Sequence, residues 1–211
     1  MEKTSTREMI LEVSLDLFSV NGYEATSISQ IADAVGIRKA SLYSHFANKQ
    51  AILDGVVHYV LDGYYQRSIF ARADWDDPQF TRDFQKMGGE DVAEMILKQI
   101  RYILHDPHIQ KGRKMLQIEQ FRNPEMAELQ TRLNYQAVMD YFAGMIRYLT
   151  TNKILKKGDE TILAAQLSAP ITVWINLCDR EPEREAEVME LIRQHVRQFF
   201  AVYGKKQSER K

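Results

Sequence analysis

The sequence predicts an all-α protein, in which a few short N-terminal helices precede a larger helical region. Apolar residues recur at helical spacing along most of the 211 residues, and no segment alternates as a strand does. Breaks such as the Asn-Gly pair that ends at Gly22 divide this pattern into separate helices. One segment, GIRKASLYSHFANKQ at residues 36–50, has three bases and no acid in a chain of net charge −1. It is therefore the first candidate for a functional surface.

The second and third predicted helices form a helix-turn-helix. Ser27 and Gln30 make a capping box at the start of the second helix. Gly36 suits a left-handed cap at its end, and the third helix follows at residues 39–46. Two helices joined by such a short turn are typical of DNA-binding modules.

The third helix has two different faces. Leu42 and Phe46 project to one side, where they can pack on the preceding helices. Ala40 and Ser44 point the other way and give a small, hydrogen-bonding face that fits a major groove. Basic and phenolic side chains flank that face, where phosphates would run: Lys39, Tyr43 and Lys49.

Residues 26–53, TSISQIADAVGIRKASLYSHFANKQAIL, closely resemble the DNA-binding signature of the TetR family of bacterial transcriptional regulators. The resemblance lies in a helix that begins at Thr, then IA..VG, then LY.HF..K..L. It implies phosphate contacts from Thr26, Ser27, Tyr43, His45 and Lys49. It implies base-edge contacts from Arg38, Lys39, Ala40, Ser41 and Ser44.

Some of these positions have a second interpretation. Such regulators often have a Ser where this chain has Arg38, so we expect the Arg38 guanidinium to reach a base or a phosphate rather than cap the helix. Tyr43 can instead pack on the fourth helix, and the ring of His45 can cap or pack. Lys49 taken alone fits an ordinary solvated lysine.

The domain organisation follows from the helical pattern and the resemblance. We expect a helix-turn-helix domain at residues 1–48 and a helical effector-binding and dimerisation domain at 49–204. Residues 49–67 would connect the two as a lever that changes the spacing of two recognition helices when an effector binds. Residues 74–89 are expected to be irregular, and residues 205–211 form a charged tail.

The last two predicted helices favour a homodimer. They combine an apolar stripe with small residues that allow close helix approach, and the resemblance implies a four-helix bundle made from two chains. The candidate interface residues are Ala165, Ala169, Leu191, Ile192, His195 and Phe199. The alternative is that both helices only close the core of one chain. Residues 161–178 carry no charge, but their polar groups and Pro170 favour a helix buried by protein over a membrane span.

The middle helices are rich in methionine and aromatic residues. In the TetR family such residues line a cavity for a small-molecule effector, although the same pattern also fits a plain core. The candidate pocket residues are Met95, Tyr102, Met115, Phe121, Tyr135, Met139, Phe142 and Trp174.

Enzyme chemistry has little support in the sequence. The HDPH segment at residues 105–108 resembles a metal pair, but Pro107 separates its histidines and no third ligand lies nearby, so no metal site and no cofactor are expected. Phosphate-binding glycine loops and nucleophile elbows are also missing from the sequence. The single Cys178 and the polar start of the chain predict a cytoplasmic protein.

We therefore expect a ligand-responsive transcriptional regulator. It would bind a palindromic double-stranded DNA operator as a homodimer, act as a repressor and leave the operator when a small-molecule effector binds. Two alternatives stay open: an effector-independent DNA-binding protein, and a regulator that acts mainly through protein contacts.

Overall fold

The computed structural model describes residues 5–82, 84 and 87–205, and this part of the chain is helical. It contains no strand apart from an isolated bridge between Leu155 and Gly204, which confirms the all-α prediction. The α-helices in chain order are α1 Thr6–Asn21, α2 Ile28–Val35, α3 Lys39–Tyr43, α4 Lys49–Arg67, α5 Ile69–Arg72, α6 Pro78–Thr81, α7 Gly89–His105, α8 Pro107–Glu119, α9 Pro124–Thr131, α10 Ala137–Thr151, α11 Glu160–Arg180 and α12 Glu185–Tyr203.

Two predicted boundaries differ from the structure. The third helix was expected at residues 39–46, but α3 ends at Tyr43 because the next N–H groups bond three residues back, Ser44 to Ser41 and His45 to Leu42. The segment 74–89, predicted to be irregular, contains the short helix α6. Its start is fixed by Asp77, whose carboxylate accepts the N–H of Gln79 at 2.8 Å.

The chain is continuously helical from Pro124 to Thr151, but the hydrogen bonding changes midway. Arg132–Gln136 is a π-helical turn between α9 and α10. The N–H of Ala137 donates to the carbonyl of Arg132, five residues back. Such turns are inserted in α-helices without a proline or glycine to mark them.

The chain divides into two compact units, and the first combines the described residues of Met1–Gln66 with Asp106–Gln130. Its core joins the apolar faces of α1, α2 and α4 to the buried side chain of Leu42 on α3. Gly36 follows α2 with φ of 78°, and the N–H of Ile37 bonds back to Ala32 at 3.0 Å. This left-handed cap reverses the chain tightly enough for α3 to begin at Lys39.

Helix α8 belongs to this first unit and is fixed on α1 and α4. Gly112 of α8 lies against Val60, and a Cβ at that glycine would be 2.7 Å from Val60 Cγ1. At the end of α8 the buried Glu119 carboxylate accepts the N–H of Tyr23 at 2.8 Å. The side chain of Asp106 caps the start of α8.

The second unit comprises Arg67–His105 and the described residues of Thr131–Lys211. A buried pair joins its first segment to α7, since Gln99 donates to Ser68 at 2.8 Å and accepts the N–H of Ile69 at 2.9 Å. Aromatic rings from α5, α6, α10 and the loop before α6 pack together, among them Phe70, Trp75 and Tyr141. Apolar and aromatic packing therefore holds this unit together.

Helix α11 is long and apolar enough to cross a membrane by length and composition alone. In the structure, 33% of its most apolar 18-residue stretch is buried inside the protein. Its buried face, which includes Leu163, Leu167 and Ile171, packs inside the second unit. Of the predicted tail, only Lys205 lies within the described residues, and residues 206–211 fall outside them.

Candidate nucleic-acid interface and ligand cleft

Helix α3 separates an inward apolar side from an outward polar side. Leu42 is fully buried, and Phe46, just beyond the helix, is nearly so, whereas 47% of Tyr43 is exposed. The other predicted contact residues on this segment are exposed as well: Arg38, Lys39, Ala40, Ser41, Ser44 and His45. The structure therefore brings most of the predicted DNA-binding residues to one short surface segment.

Arg38 begins α3 without using its side chain. Its backbone carbonyl accepts the N–H groups of Ser41 and Leu42 at 2.9 and 3.2 Å, which starts the helix. Within the described residues, its guanidinium makes no capping hydrogen bond. The exposed guanidinium thus has five donors in the planar arrangement that matches a phosphate or the N7 and O6 edge of guanine.

Lys49 is held in place at the edge of this surface. Its ammonium lies 4.1 Å from the ring centroid of Tyr23, and Nζ donates to the carbonyl of Glu24 at 3.3 Å. Tyr23 is fixed in turn, because its hydroxyl donates to Gln50 at 3.2 Å. Tyr23 was not predicted, because it follows the Asn-Gly turn and belongs to no periodic stripe.

Some predicted hydroxyl contacts have other partners in the structure. Thr26 is 1% exposed and donates to the carbonyl of Gly22 at 2.8 Å, so its side chain has no surface for a phosphate. The Ser44 hydroxyl donates to the carbonyl of Ser41 at 2.7 Å. The Ser27 hydroxyl accepts the N–H of Gln30 at 3.2 Å and forms the predicted capping box.

A further cation lies in the same unit. The guanidinium carbon of Arg7 lies 5.0 Å from the ring centroid of Phe46, a buried residue of the acid-free segment 36–50. Arg7 was not predicted, because one base on the exposed side of α1 carries no pattern. Together with Arg38, Lys39 and Lys49 it gives this unit several cations suited to phosphate binding.

The predicted effector-pocket residues do not share one environment. Met115 and Phe142 are buried in the packed interior, whereas 90% of Phe121 and 64% of Tyr135 are exposed. Neither of these two exposed rings lines the cleft that is described below. The remaining four are partly buried: Met95, Tyr102, Met139 and Trp174.

The structure shows a cleft where none was predicted. It has a volume of about 470 Å³ and is bounded by residues 73–76 and by α10. None of the eight predicted pocket residues lines it. No sequence pattern predicts this cleft, because its side chains come from an irregular segment and from the polar side of a helix.

The predicted dimer residues divide into buried and exposed groups. Ile192 and Phe199 are buried inside their own chain, which leaves them little surface for a partner. Ala169 is exposed, and three other predicted residues are partly so: Ala165, Leu191 and His195. Helix α11 also exposes 64% of Val173 and 55% of Ile162, which were not among the predicted residues.

The HDPH histidines point to different partners. His105 Nε2 lies 2.9 Å from the Glu185 carboxylate, whereas His108 lies 3.3 Å from the Tyr59 hydroxyl. Asp106 between them caps α8. Across the described residues no group of three or more His, Cys, Asp or Glu side chains is arranged to hold a metal ion.

Residues 10–56 match the family model described as bacterial regulatory proteins of the tetR family. The HTH-type transcriptional repressor KstR2 of Rhodococcus jostii is 36% identical over 63 residues, which are 30% of this chain and 31% of KstR2. The chain thus aligns with about a third of the length of this curated relative.

Solved structures extend the likeness to the whole fold. A TetR-family transcriptional regulator from Mesorhizobium loti superposes with a TM-score of 0.68 at 20% identity, over 95% of this chain and 97% of that one. SmeT, the repressor of the Stenotrophomonas maltophilia multidrug efflux pump SmeDEF, gives a TM-score of 0.65 at 22% identity, over 96% and 92%. A second SmeT structure is a complex with triclosan. Residues 10–56 thus match the tetR family of bacterial regulatory proteins, and the fold of the chain is similar to that of solved TetR-family regulators.

Proposed function

We propose that this protein is a ligand-responsive transcriptional repressor that binds a palindromic DNA operator as a homodimer. The observation that carries the proposal is the surface of α3. It exposes bases, hydroxyls and a phenol without an acid, over a fully buried Leu42 that fixes the orientation of the helix. Such a surface provides donors for phosphates at its edges and small polar groups for base edges at its centre.

Dimerisation is proposed because one such module contacts only a few base pairs, so a specific site usually needs two copies. The exposed side of α11 is suited to self-association. Ile162, Ala169 and Val173 lie along it at helical spacing, and Val202 of α12 is also exposed. Apolar side chains left in solvent at such spacing favour helix packing against a second copy of the same face.

Release by a small molecule is the third part of the proposal. It is supported by the likeness to SmeT, a repressor whose structure has also been determined with triclosan. It is supported as well by the cleft in the second unit, whose volume of about 470 Å³ falls in the range of small-molecule sites, roughly 300–1,000 Å³. The function requires no metal or cofactor besides the effector and no catalytic step, and it places the protein in the cytoplasm.

The test is DNA binding by the full-length protein and its variants, measured by fluorescence anisotropy across a salt series. A DNA site is first selected from a random library. Tyr43→Ala and Lys49→Ala should each weaken binding to that site, and Lys49→Ala should also lower the slope of log affinity against log salt by about one. Lys98→Ala, an exposed lysine on α7, is the matched control and should leave both quantities unchanged.

The alternative of a protein-contact regulator makes the opposite prediction. If Tyr43→Ala and Lys49→Ala bind every DNA as the parent does, while circular dichroism shows both variants folded, α3 is not the DNA-binding surface. An effector-independent DNA-binding protein would instead show the predicted loss of DNA affinity in the variants. Its affinity for DNA would not change with any ligand.

A further inference from the structure

The cleft in the second unit has a wall of aromatic side chains. Trp75 lies against Gly144 of α10, and a side chain at that glycine would collide with the indole. The Trp75 ring centroid lies 6.1 Å from that of Tyr148, at an interplanar angle of 36°. The Tyr148 hydroxyl donates to the carbonyl of Thr81 at 2.9 Å, which fixes its ring.

The indole of Trp75 also packs edge-on against rings behind the cleft, with centroid distances of 4.8 Å to Phe84 and 5.4 Å to Tyr141. Its Nε1 is buried and finds no hydrogen-bond partner in the part of the chain that is described. Ring packing, and not a hydrogen bond, therefore holds Trp75 at the cleft. A ligand can stack on it without breaking a polar contact.

Carboxylates surround this wall on two sides. Asp74 and Asp76 belong to the loop, and Asp140 belongs to α10. One carboxylate oxygen of Asp74 accepts the N–H of Asp76 at 3.0 Å, and this bond orders the loop. The other oxygen of Asp74 takes no part in this bond. Three carboxylates thus contribute three negative charges to the lining.

Arg147 is the one cationic side chain among the residues that line the cleft. Three negative charges and this single positive charge give the lining a formal charge of −2. The Nε of Arg147 lies 2.9 Å from the Glu160 carboxylate, so the positive charge of Arg147 is partly compensated from outside the cleft. The cleft therefore presents a negative potential to any ligand that enters it.

We propose that this cleft binds an organic cation, with a quaternary or aromatic ammonium group against Trp75 and Tyr148 and near the carboxylate of Asp140. The faces of tryptophan and tyrosine attract cations, and unlike charges at close range strengthen the binding. The carboxylates come from two separate elements around a wide aromatic wall. An extended organic ligand matches this arrangement better than a small ion does.

The role of this cation as the effector rests on the proposed repressor function, but its binding does not. Binding is therefore measured first by calorimetry on the full-length protein without DNA. The probe is 3-hydroxyphenyltrimethylammonium, and its uncharged isostere 3-tert-butylphenol is the control ligand. We expect the cation to bind at least about tenfold more tightly, and equal binding of the two or no binding of the cation would overturn the proposal.

Charge variants then test the position of the site. Asp140→Asn and Asp76→Asn should each weaken binding of the cation at least threefold, whereas Arg147→Gln should strengthen it, because a like charge is removed. Asp62→Asn, an exposed aspartate on α4 outside the cleft, should have no effect. If neither aspartate variant weakens binding, or if Arg147→Gln weakens it, the cation does not bind in this cleft.

The last step connects the cleft to DNA binding. The probe should lower the affinity of the parent protein for its selected DNA site and should do so less for Asp140→Asn. Binding of the probe without any change in DNA affinity would support the cation site and overturn its role as the effector. Loss of DNA binding by the ligand-free protein would instead count against the proposed repressor function.

Discussion

At the scale of single residues, the polar side chains that were predicted to contact DNA divide into two groups. Ser44 and Lys49 donate to backbone carbonyls of their own unit, and Thr26 is buried in the turn before α2. Arg38 and Lys39 are exposed at the start of α3. Sequence discrimination should therefore depend more on these two bases than on the hydroxyls.

Arg38→Ala should reduce affinity for the selected DNA site by about 1–3 kcal/mol and relax the preference at one base pair. The physical reason is the loss of a bidentate contact to guanine N7 and O6, which no other base offers in that arrangement. Anisotropy against a panel of single-base operator variants measures both effects. An equal loss of affinity on every DNA in the panel would show that Arg38 contacts a phosphate instead.

Glu119→Ala should lower the free energy of unfolding by about 1–3 kcal/mol. Glu119 is 1% exposed, and its carboxylate accepts the N–H of Tyr23 at 2.8 Å, so its removal leaves a donor without a partner. Glu125→Ala, an exposed glutamate in the first turn of α9, serves as the control and should change stability by less than about 0.5 kcal/mol. Urea unfolding measures both, and equal effects of the two variants would contradict this role for Glu119.

At the scale of elements, the sequence predicted most helices because their apolar spacing and their caps are local. The capping box at Ser27 and the left-handed Gly36 are both in the structure, and the final helix runs over Glu185–Tyr203 as its stripe predicts. Helix α6 and the π-turn were missed, since the first depends on a single Asp-Pro cap and the second has no local signal.

The functional surfaces were likewise predictable only where they depend on local sequence. The exposed side of α3 could be predicted because helical geometry fixes which side chains face outward. The cleft could not, because it depends on how Trp75 packs on Gly144, two residues far apart in the sequence. Tyr23 beneath Lys49 was missed for the same reason.

Gly36→Ala should lower the free energy of unfolding by about 1 kcal/mol through backbone strain alone. The φ of Gly36 is 78°, and a Cβ at this position would meet nothing within 4 Å, so no clash adds to the cost. Gly36→Asn is the matched comparison and should cost less, because asparagine tolerates the left-handed region. Equal destabilisation by the two variants would contradict the assignment of the cost to backbone conformation.

At the scale of the whole molecule, the proposed function depends on two copies of the chain. Val173→Asp should raise the dimer dissociation constant at least about 100-fold, since an unpaired charge in an apolar interface costs roughly 3 kcal/mol or more. Val20→Asp introduces the same charge at a residue that is 78% exposed on α1, and it should leave the dimer intact. Light scattering across a concentration series measures both, and a parent protein that is monomeric at every concentration would contradict the dimer.

Selection of DNA from a random library by the full-length protein tests the central claim most directly. The proposed arrangement predicts one enriched site with two inverted half-sites, whose centres lie about 10–10.5 base pairs or a multiple of this apart. The Tyr43→Ala variant should fail to enrich that site. Enrichment of no sequence by a folded protein, or of an asymmetric single half-site, would contradict specific DNA binding by a dimer through α3.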